Sequence, residues 1–314
     1  MLAYILRRLL LILPVLFGVS TALFVLMRVV PGDVARTILG QNASPEAIAA
    51  LRHQMGLDRP LIVQYGDWLW DLAHGDLGVS LRTGYPVSTL IGQRFPATLE
   101  LTAAAMVISL VTAIPLGILA AVRRGTWVDH LTATVGLAGL SFPNFWLGTL
   151  LVLFVSLKLG WLPPFGYTPF TEDPLQSVRF LALPAITLGS SMAAVVMRMT
   201  RSSMVEVLGE EFVKTARAKG LAEQRVLYGH ALKNALIPVL TVVGLQTGFL
   251  FGGAVIIENL FAWPGIGRLT LDGVFQRDYP VVQGTVLFVA ALFVLINLVV
   301  DVLYSYLDPR IHYR

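Results

Sequence analysis

The sequence contains no cysteine, which excludes disulfides and thiolate metal sites and leaves the redox compartment unread. It is also poor in charge: Asp, Glu, Lys and Arg make up 13% of its 314 residues, about half the roughly 25% of a soluble domain. A soluble chain of this length makes about two domains of ~150 residues, and this charge supply would hardly cover their surfaces. Several signatures of chemistry are missing too. The dipeptide Gly-Lys does not occur, so no phosphate loop of the Gly-x-x-x-x-Gly-Lys-Ser/Thr type exists and ATP hydrolysis by that route is not expected. There is no His-Glu-x-x-His and no Gly-x-Ser-x-Gly, and the five His, at 53, 74, 130, 230 and 312, are dispersed. No catalytic and no metal-ligating residue is assigned, and no nucleic-acid partner is expected.

What is abundant is apolar sequence, 56% of the chain, with a mean hydropathy of +0.73. Leu9 to Met27 carries no charge over 19 residues, about 28 Å as a helix against a hydrocarbon core of about 30 Å. It is too long for the apolar region of a signal peptide, and no cleavage site follows. Further apolar runs at about 99–121, 131–157, 180–197, 236–257 and 281–300 bring the expected spans to six. Ionisable residues are absent from their centres, which weakens an ion-coupled secondary transporter. Pro14, Pro115, Pro143 and Pro184 are read as kinks tolerated inside helices.

Lys and Arg set the orientation. Thirteen fall on the face holding both termini and the 123–130 and 198–235 loops, and ten on the other. Six of those ten belong to the long 28–98 connection, which translocates largely regardless of charge. Both termini are therefore expected to be cytoplasmic. In the external connection, Ser44-Pro45-Glu46 opens a helix through Met55 that Gly56 stops, and Trp68, Trp70 and Trp161 suit an interfacial belt.

The cytoplasmic loop between the fourth and fifth spans has its own pattern. Val205, Leu208, Phe212 and Ala216 recur at helical spacing, Glu210 and Lys214 form an i,i+4 pair, and Gly220 sits where a helix ends. A second helical stretch runs through about Leu232. Lys214, Arg217, Lys219, Arg225 and Lys233 would equally give a basic face for lipid headgroups. The break at Gly220 favours a docking elbow over 211–233 instead, since a surface anchor gains nothing from a turn in its middle. In the fifth span Gly244, Gly248 and Gly252 stand four apart, a stripe for close helix packing. Glu258 to Arg268 reads either as a structured external segment near a gate or as a tight connector.

The elbow, Glu211-Phe-Val-Lys-Thr-Ala-Arg-Ala-Lys-Gly220-Leu followed by His230-Ala-Leu-Lys-Asn-Ala-Leu-Ile-Pro238, resembles the cytoplasmic loop of bacterial ABC-importer permeases. Gly220 and Leu232 fit the general pattern, Lys214-Thr215-Ala216 stands for its Glu-Ala-Ala, and His230 and Lys233 replace an Ile and a Pro, as in the branch that carries dipeptides, oligopeptides, nickel chelates or glutathione. Other matching strings are Arg28-Val-Val-Pro31-Gly32-Asp33, Gly75-Asp76-Leu77-Gly78-Val-Ser80, Pro96-Ala-Thr98-Leu-Glu100, Glu258-Asn259-Leu-Phe261-Ala-Trp263-Pro264-Gly265-Ile-Gly267-Arg268, Arg277-Asp278-Tyr279-Pro280 and Asp308-Pro309-Arg310.

The resemblance implies an all-α, six-span importer transmembrane domain in a bacterial inner membrane, divided into a first helix (1–30), an external loop or cap (31–97) and a core (98–314) with its coupling loop at 201–235. It implies a peptide permease, with nickel-chelate or glutathione import as alternatives. The expected partners are a second homologous permease, two ATP-binding subunits that hold ATP and Mg, a periplasmic or lipid-anchored substrate-binding protein, and membrane lipid. No cofactor is expected in this chain. Coupling is expected to rest on Glu211, Thr215, Ala216, Arg217, Lys219, Gly220 and Leu221, with Ala216 docking closely and Arg217 and Lys219 pairing with acidic rims. The external gate or binding-protein contact is expected at Asn259, Trp263, Pro264 and Arg268.

Overall fold

A computed structural model describes residues 2–29, 34–40 and 43–307; the strings at Pro31-Gly32-Asp33 and Asp308-Pro309-Arg310 lie outside them. Among the described residues the chain is helical, with one antiparallel bridge between Val79 and Pro86. The elements are α1 (Leu2–Val29), α2 (Val34–Leu39), α3 (Pro45–Gln54), α4 (Leu61–Ala73), α5 (Val87–Val122), α6 (Trp127–Ser141), α7 (Asn144–Leu151), α8 (Pro174–Leu208), α9 (Glu211–Ala218), α10 (Leu232–Leu260), α11 (Ile266–Gln276) and α12 (Tyr279–Leu307). A π-helical turn, Val152–Lys158, extends α7, and another, Arg225–Ala231, opens α10.

Among the described residues five helices are long and apolar enough to cross a membrane, and the third of the six expected spans is a bent pair of helices. The run at 131–157, expected as one helix, is two: α6 and α7 meet at 103°. Pro143 is the cause. It lacks the N–H that would continue the ladder, and it holds Phe142 in an extended conformation (φ −85°, ψ 131°). Pro14, Pro115 and Pro184 lie inside α1, α5 and α8, as tolerated kinks do.

The core is built around α8, whose Leu183, Leu188, Met192 and Val196 pack with Leu101 and Ala105 of α5 and Val239, Leu250 and Ile257 of α10. Helices α5 and α8 run parallel and touch at two glycines. A Cβ on Gly189 would stand 2.6 Å from the Ala105 carbonyl oxygen, and one on Gly117 would stand 2.8 Å from that of Met197. Ser109 Oγ donates to the Gly189 carbonyl at 2.6 Å, so the narrow gap is also a polar weld. The glycine stripe of α10 packs within the chain: Gly244 lies against Val300 and Gly248 against Phe293 of α12. Gly252 has nothing of this chain within 4 Å of an added Cβ. Thr247 Oγ1 reaches across to α5, 3.7 Å from Met106 Sδ.

At the α1 side of the bundle, α3 begins as expected: Ser44 Oγ accepts the Ala47 N–H at 3.2 Å, Pro45 follows, and Gly56 takes φ +66° just beyond the end. Gly189→Val should lower the thermal stability of the purified protein by an overpacking cost of about 1–3 kcal/mol, read as a fall in Tm. Gly252→Val, into open space, should leave Tm close to the parent.

Candidate functional site

The elbow forms where α8 stops. Gly209 ends α8, Glu210 is extended (φ −70°, ψ 149°), and α9 restarts at Glu211. This break resets the helical phase, so Val205, Leu208, Phe212 and Ala216 do not share one face. Val213 and Ala216 turn inward onto Val226, Val207, Leu208 and Leu221, whereas Phe212 is 42% exposed. Ala216, read from sequence as a close-docking residue, is 7% exposed and serves the elbow's own core. Gly220 ends the element at φ +77°, a left-handed conformation that costs an L-residue roughly 1–2 kcal/mol.

The charges are also rearranged. Lys214 Nζ pairs with Glu211 at 2.7 Å, one turn position away from the expected Glu210. Arg217 is bidentate on Glu223, with Nη2 donating to Oε1 at 2.7 Å and Nε to Oε2 at 3.1 Å. The guanidinium holds the Glu223 carboxyl below the usual carboxylate range. A depressed value means this pair supports the fold at neutral pH and is lost only as pH falls through it. Arg217 is therefore a strut inside the elbow. The outward face left for a partner holds Phe212, Thr215 and Lys219, at i, i+3 and i+7, with Glu211 beside it and Leu221 partly buried below.

Two residues that the sequence did not single out fasten this end of the bundle. Asp129, at the start of α6, is 5% exposed and receives Arg201 of α8 in a bidentate pair, Nε–Oδ1 2.5 Å and Nη2–Oδ2 2.8 Å. Asp129 Oδ2 also accepts the Gly125 N–H at 2.9 Å, so the α5–α6 turn is tied to α8 two turns before the elbow. Their separation by 72 positions gave the sequence no local signal.

The opposite end holds a second lock. Glu258 of α10 has no exposed surface; its Oε1 accepts Thr98 Oγ–H of α5 at 2.6 Å and its Oε2 accepts the Arg268 N–H at 3.0 Å. Thr98 Oγ1 in turn accepts the Ile266 N–H at 2.8 Å. The carboxyl group thus caps the N-terminus of α11, where orphan N–H groups and the helix dipole favour an acceptor. Gly265 and Gly267 are required there, because a Cβ on Gly265 would strike the Glu258 carboxyl and one on Gly267 would stand 2.5 Å from the Val255 Cα. Trp263 is fully buried, donates Nε1–H to the Ala97 carbonyl at 2.7 Å and meets the Tyr167 ring edge to face at 4.8 Å. Arg268 Nη1 donates to the Ala262 carbonyl at 2.7 Å, Pro264 is half-buried, and Asn259 is exposed. Of the four residues assigned to a gate or contact, Trp263 therefore offers no surface to another protein. Asp278 closes the same end by accepting Ser80 Oγ–H at 2.5 Å and the Leu81 N–H at 3.2 Å.

Among the described residues no group of three or more His, Asp or Glu is placed to hold a metal ion. Arg201→Ala should destabilise the protein at or below the lower end of the ~3–5 kcal/mol of a broken buried pair, since Arg201 is itself one-third exposed. Removing Asp129 as well should restore part of the loss in a double-mutant cycle read by thermal unfolding.

Two family descriptions cover nearly the whole chain: the binding-protein-dependent transport system inner membrane component over residues 113–313, and the N-terminal part of the binding-protein-dependent transport system membrane component over residues 1–102. The chain is 47% identical to a dipeptide transport system permease protein of Alkalihalophilus pseudofirmus, with 100% of each chain covered. It is 46% identical to a di/tripeptide transport system permease protein of Pseudomonas aeruginosa and to a glutathione transport system permease protein of Escherichia coli, again with both chains fully covered. Its fold matches the MetNI methionine ABC transporter in inward-facing form (TM-score 0.58, 18% identity, 70% of this chain and 96% of that one). It also matches an amino acid ABC transporter (TM-score 0.52, 14% identity, 71% and 95%). The chain belongs to the family of binding-protein-dependent transport system inner membrane components, the multi-pass permease subunits of bacterial ABC importers.

Proposed function

We propose that this permease imports peptides, with one homologous permease beside it, a substrate-binding protein on one side of the membrane and two ATP-binding subunits on the other. The peptide substrate rests on full-length relatives named for dipeptides, di/tripeptides and glutathione, itself a small peptide, at 46–47% identity. The elbow end faces the cytoplasm in this reading, because it carries the excess of Lys and Arg in short loops. ATP and Mg belong to the partner subunits, and this chain contributes no catalytic residue.

The single observation that carries the mechanism is the elbow's attachment. Helix α9 is packed through Val213 and Ala216 onto Val226, between the 35-residue α8 and the turn that opens α10. A partner that moves α9 therefore moves two spans together, and the Arg201–Asp129 pair adds the α5–α6 turn. Phe212, flanked by Thr215 and Lys219, is the apolar projection that would enter a pocket on the ATP-binding subunit. Movement at the elbow is then converted to movement in the bilayer by rigid bodies.

Phe212→Asp should leave the permease folded yet weaken assembly with the ATP-binding subunit by the ~2 kcal/mol or more of an interface hot spot, roughly thirtyfold in affinity. Co-purification and a binding titration read this directly, and unchanged affinity would place the docking surface elsewhere. In proteoliposomes holding the complete transporter, peptide uptake should require both ATP and the binding protein. Uptake driven by an ion gradient without ATP would overturn the proposal.

A further inference from the structure

Helix α4 has no buried residue, and its outer face is strongly apolar: Ile62 is 76% exposed, Trp70 68% and Leu61 59%. Its position along α1 shows what solvent surrounds that face. Tyr65 OH is 2.6 Å from Thr21 Oγ1, and the Tyr65 ring meets Phe17 and Phe24 at 6.3 and 5.0 Å. At the outer end, Arg28 Nη2 donates to Gln64 Oε1 at 2.7 Å. Leu72 and Ala73 share an apolar crevice of about 490 Å³ with Leu13 and Leu16 of α1 and with Leu287 of α12. Thr21 lies six residues inside the apolar run that ends at Met27, about 9 Å, and Leu16 eleven residues inside, about 16 Å, at 1.5 Å per residue. A helix held at those levels lies beside the hydrocarbon that surrounds α1, and not above it.

We infer that α4 is inserted in the leaflet opposite the elbow, with Ile62 and Trp70 against lipid acyl chains. The segment 61–73 is then a membrane-seated strap on the first span, where the sequence suggested an external cap. The rest of the helix is built for this. Gln64, Asp67 and Asp71, at i, i+3 and i+7, form a separate polar stripe that shares a crevice of about 330 Å³ with Arg28 and Arg59. Asp67 Oδ2 is paired there with Arg59 Nη1 at 3.1 Å. Asp67 therefore has its own basic partner on the polar side, and the apolar stripe can face lipid without dragging that carboxylate with it, as in helices that lie in an interface.

The absence of cysteine from the chain makes the test direct. Trp70→Cys and, independently, Ile62→Cys are labelled with a nitroxide in the complete transporter, with cysteine-free partners, reconstituted in phosphatidylcholine vesicles. Accessibility to oxygen is compared with accessibility to a water-soluble nickel chelate. Val15→Cys on α1 is the lipid reference, and Ala50→Cys on α3 is the aqueous one. The inference expects both α4 sites to favour oxygen as Val15→Cys does, with an oxygen-to-nickel ratio several-fold above that of Ala50→Cys. A ratio like that of Ala50→Cys would put α4 in water, and shielding from both reagents would put it under a second protein. Either outcome overturns the inference while leaving the transport function intact.

Discussion

The close parallel contact of α5 with α8 is the constraint on which the rest of the bundle depends. Two backbones approach at Gly117 and Gly189 to distances that leave no room for a Cβ, and the Ser109 hydroxyl bridges the gap to the Gly189 carbonyl. In a bilayer the hydrophobic effect does little to bring helices together, so close van der Waals contact and interhelical hydrogen bonds must do it. This contact supplies both. It fixes α8 as the central element, places its last turns beside the α5–α6 connection, and so determines where the elbow emerges.

Ionisable residues are few in this chain, and the fully buried carboxylates Asp129, Glu258 and Asp278 are fastened rather than free. Asp129 is matched by a bidentate guanidinium and a backbone amide. Among the described residues no cation pairs with Glu258; Thr98 and the first amides of α11 satisfy it instead. The first arrangement ties α6 to α8, and the second ties α5, α10 and α11 together. Both join elements distant in sequence, which is what a polar group in an apolar interior does best: an unpaired one costs so much that alternative packings are excluded.

The spans were legible because each is a run of apolar residues of the right length, and the α3 start was legible because Ser44, Pro45 and Gly56 act on their immediate neighbours. The break at Gly220 placed the elbow, and the family resemblance matched it. Periodicity failed wherever one residue reset the backbone. Gly209 with extended Glu210 ended the phase that linked Leu208 to Phe212, so the exposed and buried residues of α9 exchanged roles. Pro143 was judged by the same rule as Pro14, Pro115 and Pro184, yet only it follows a residue that adopts the extended conformation. The Asp129–Arg201 pair and the Glu258–Thr98 contact were invisible because their partners are 72 and 160 positions apart, and the polar residues alone do not say which of many distant partners they will meet.

The reach of the fifth span gives the Glu258 contact a mechanical meaning. With its opening turn, this span runs over 36 residues from Arg225, beside the elbow, to Leu260, about 54 Å at 1.5 Å per residue. A lever of that length, tilted about 5° around its midpoint, carries each tip roughly 2 Å in opposite senses. The hydrogen bond from Thr98 to Glu258 spans 2.6 Å, so a displacement of that size leaves two outcomes: the bond parts, or α5 and α11 swing with the tip. One carboxyl group thereby decides whether a tilt of this span is confined to it or shared with its neighbours.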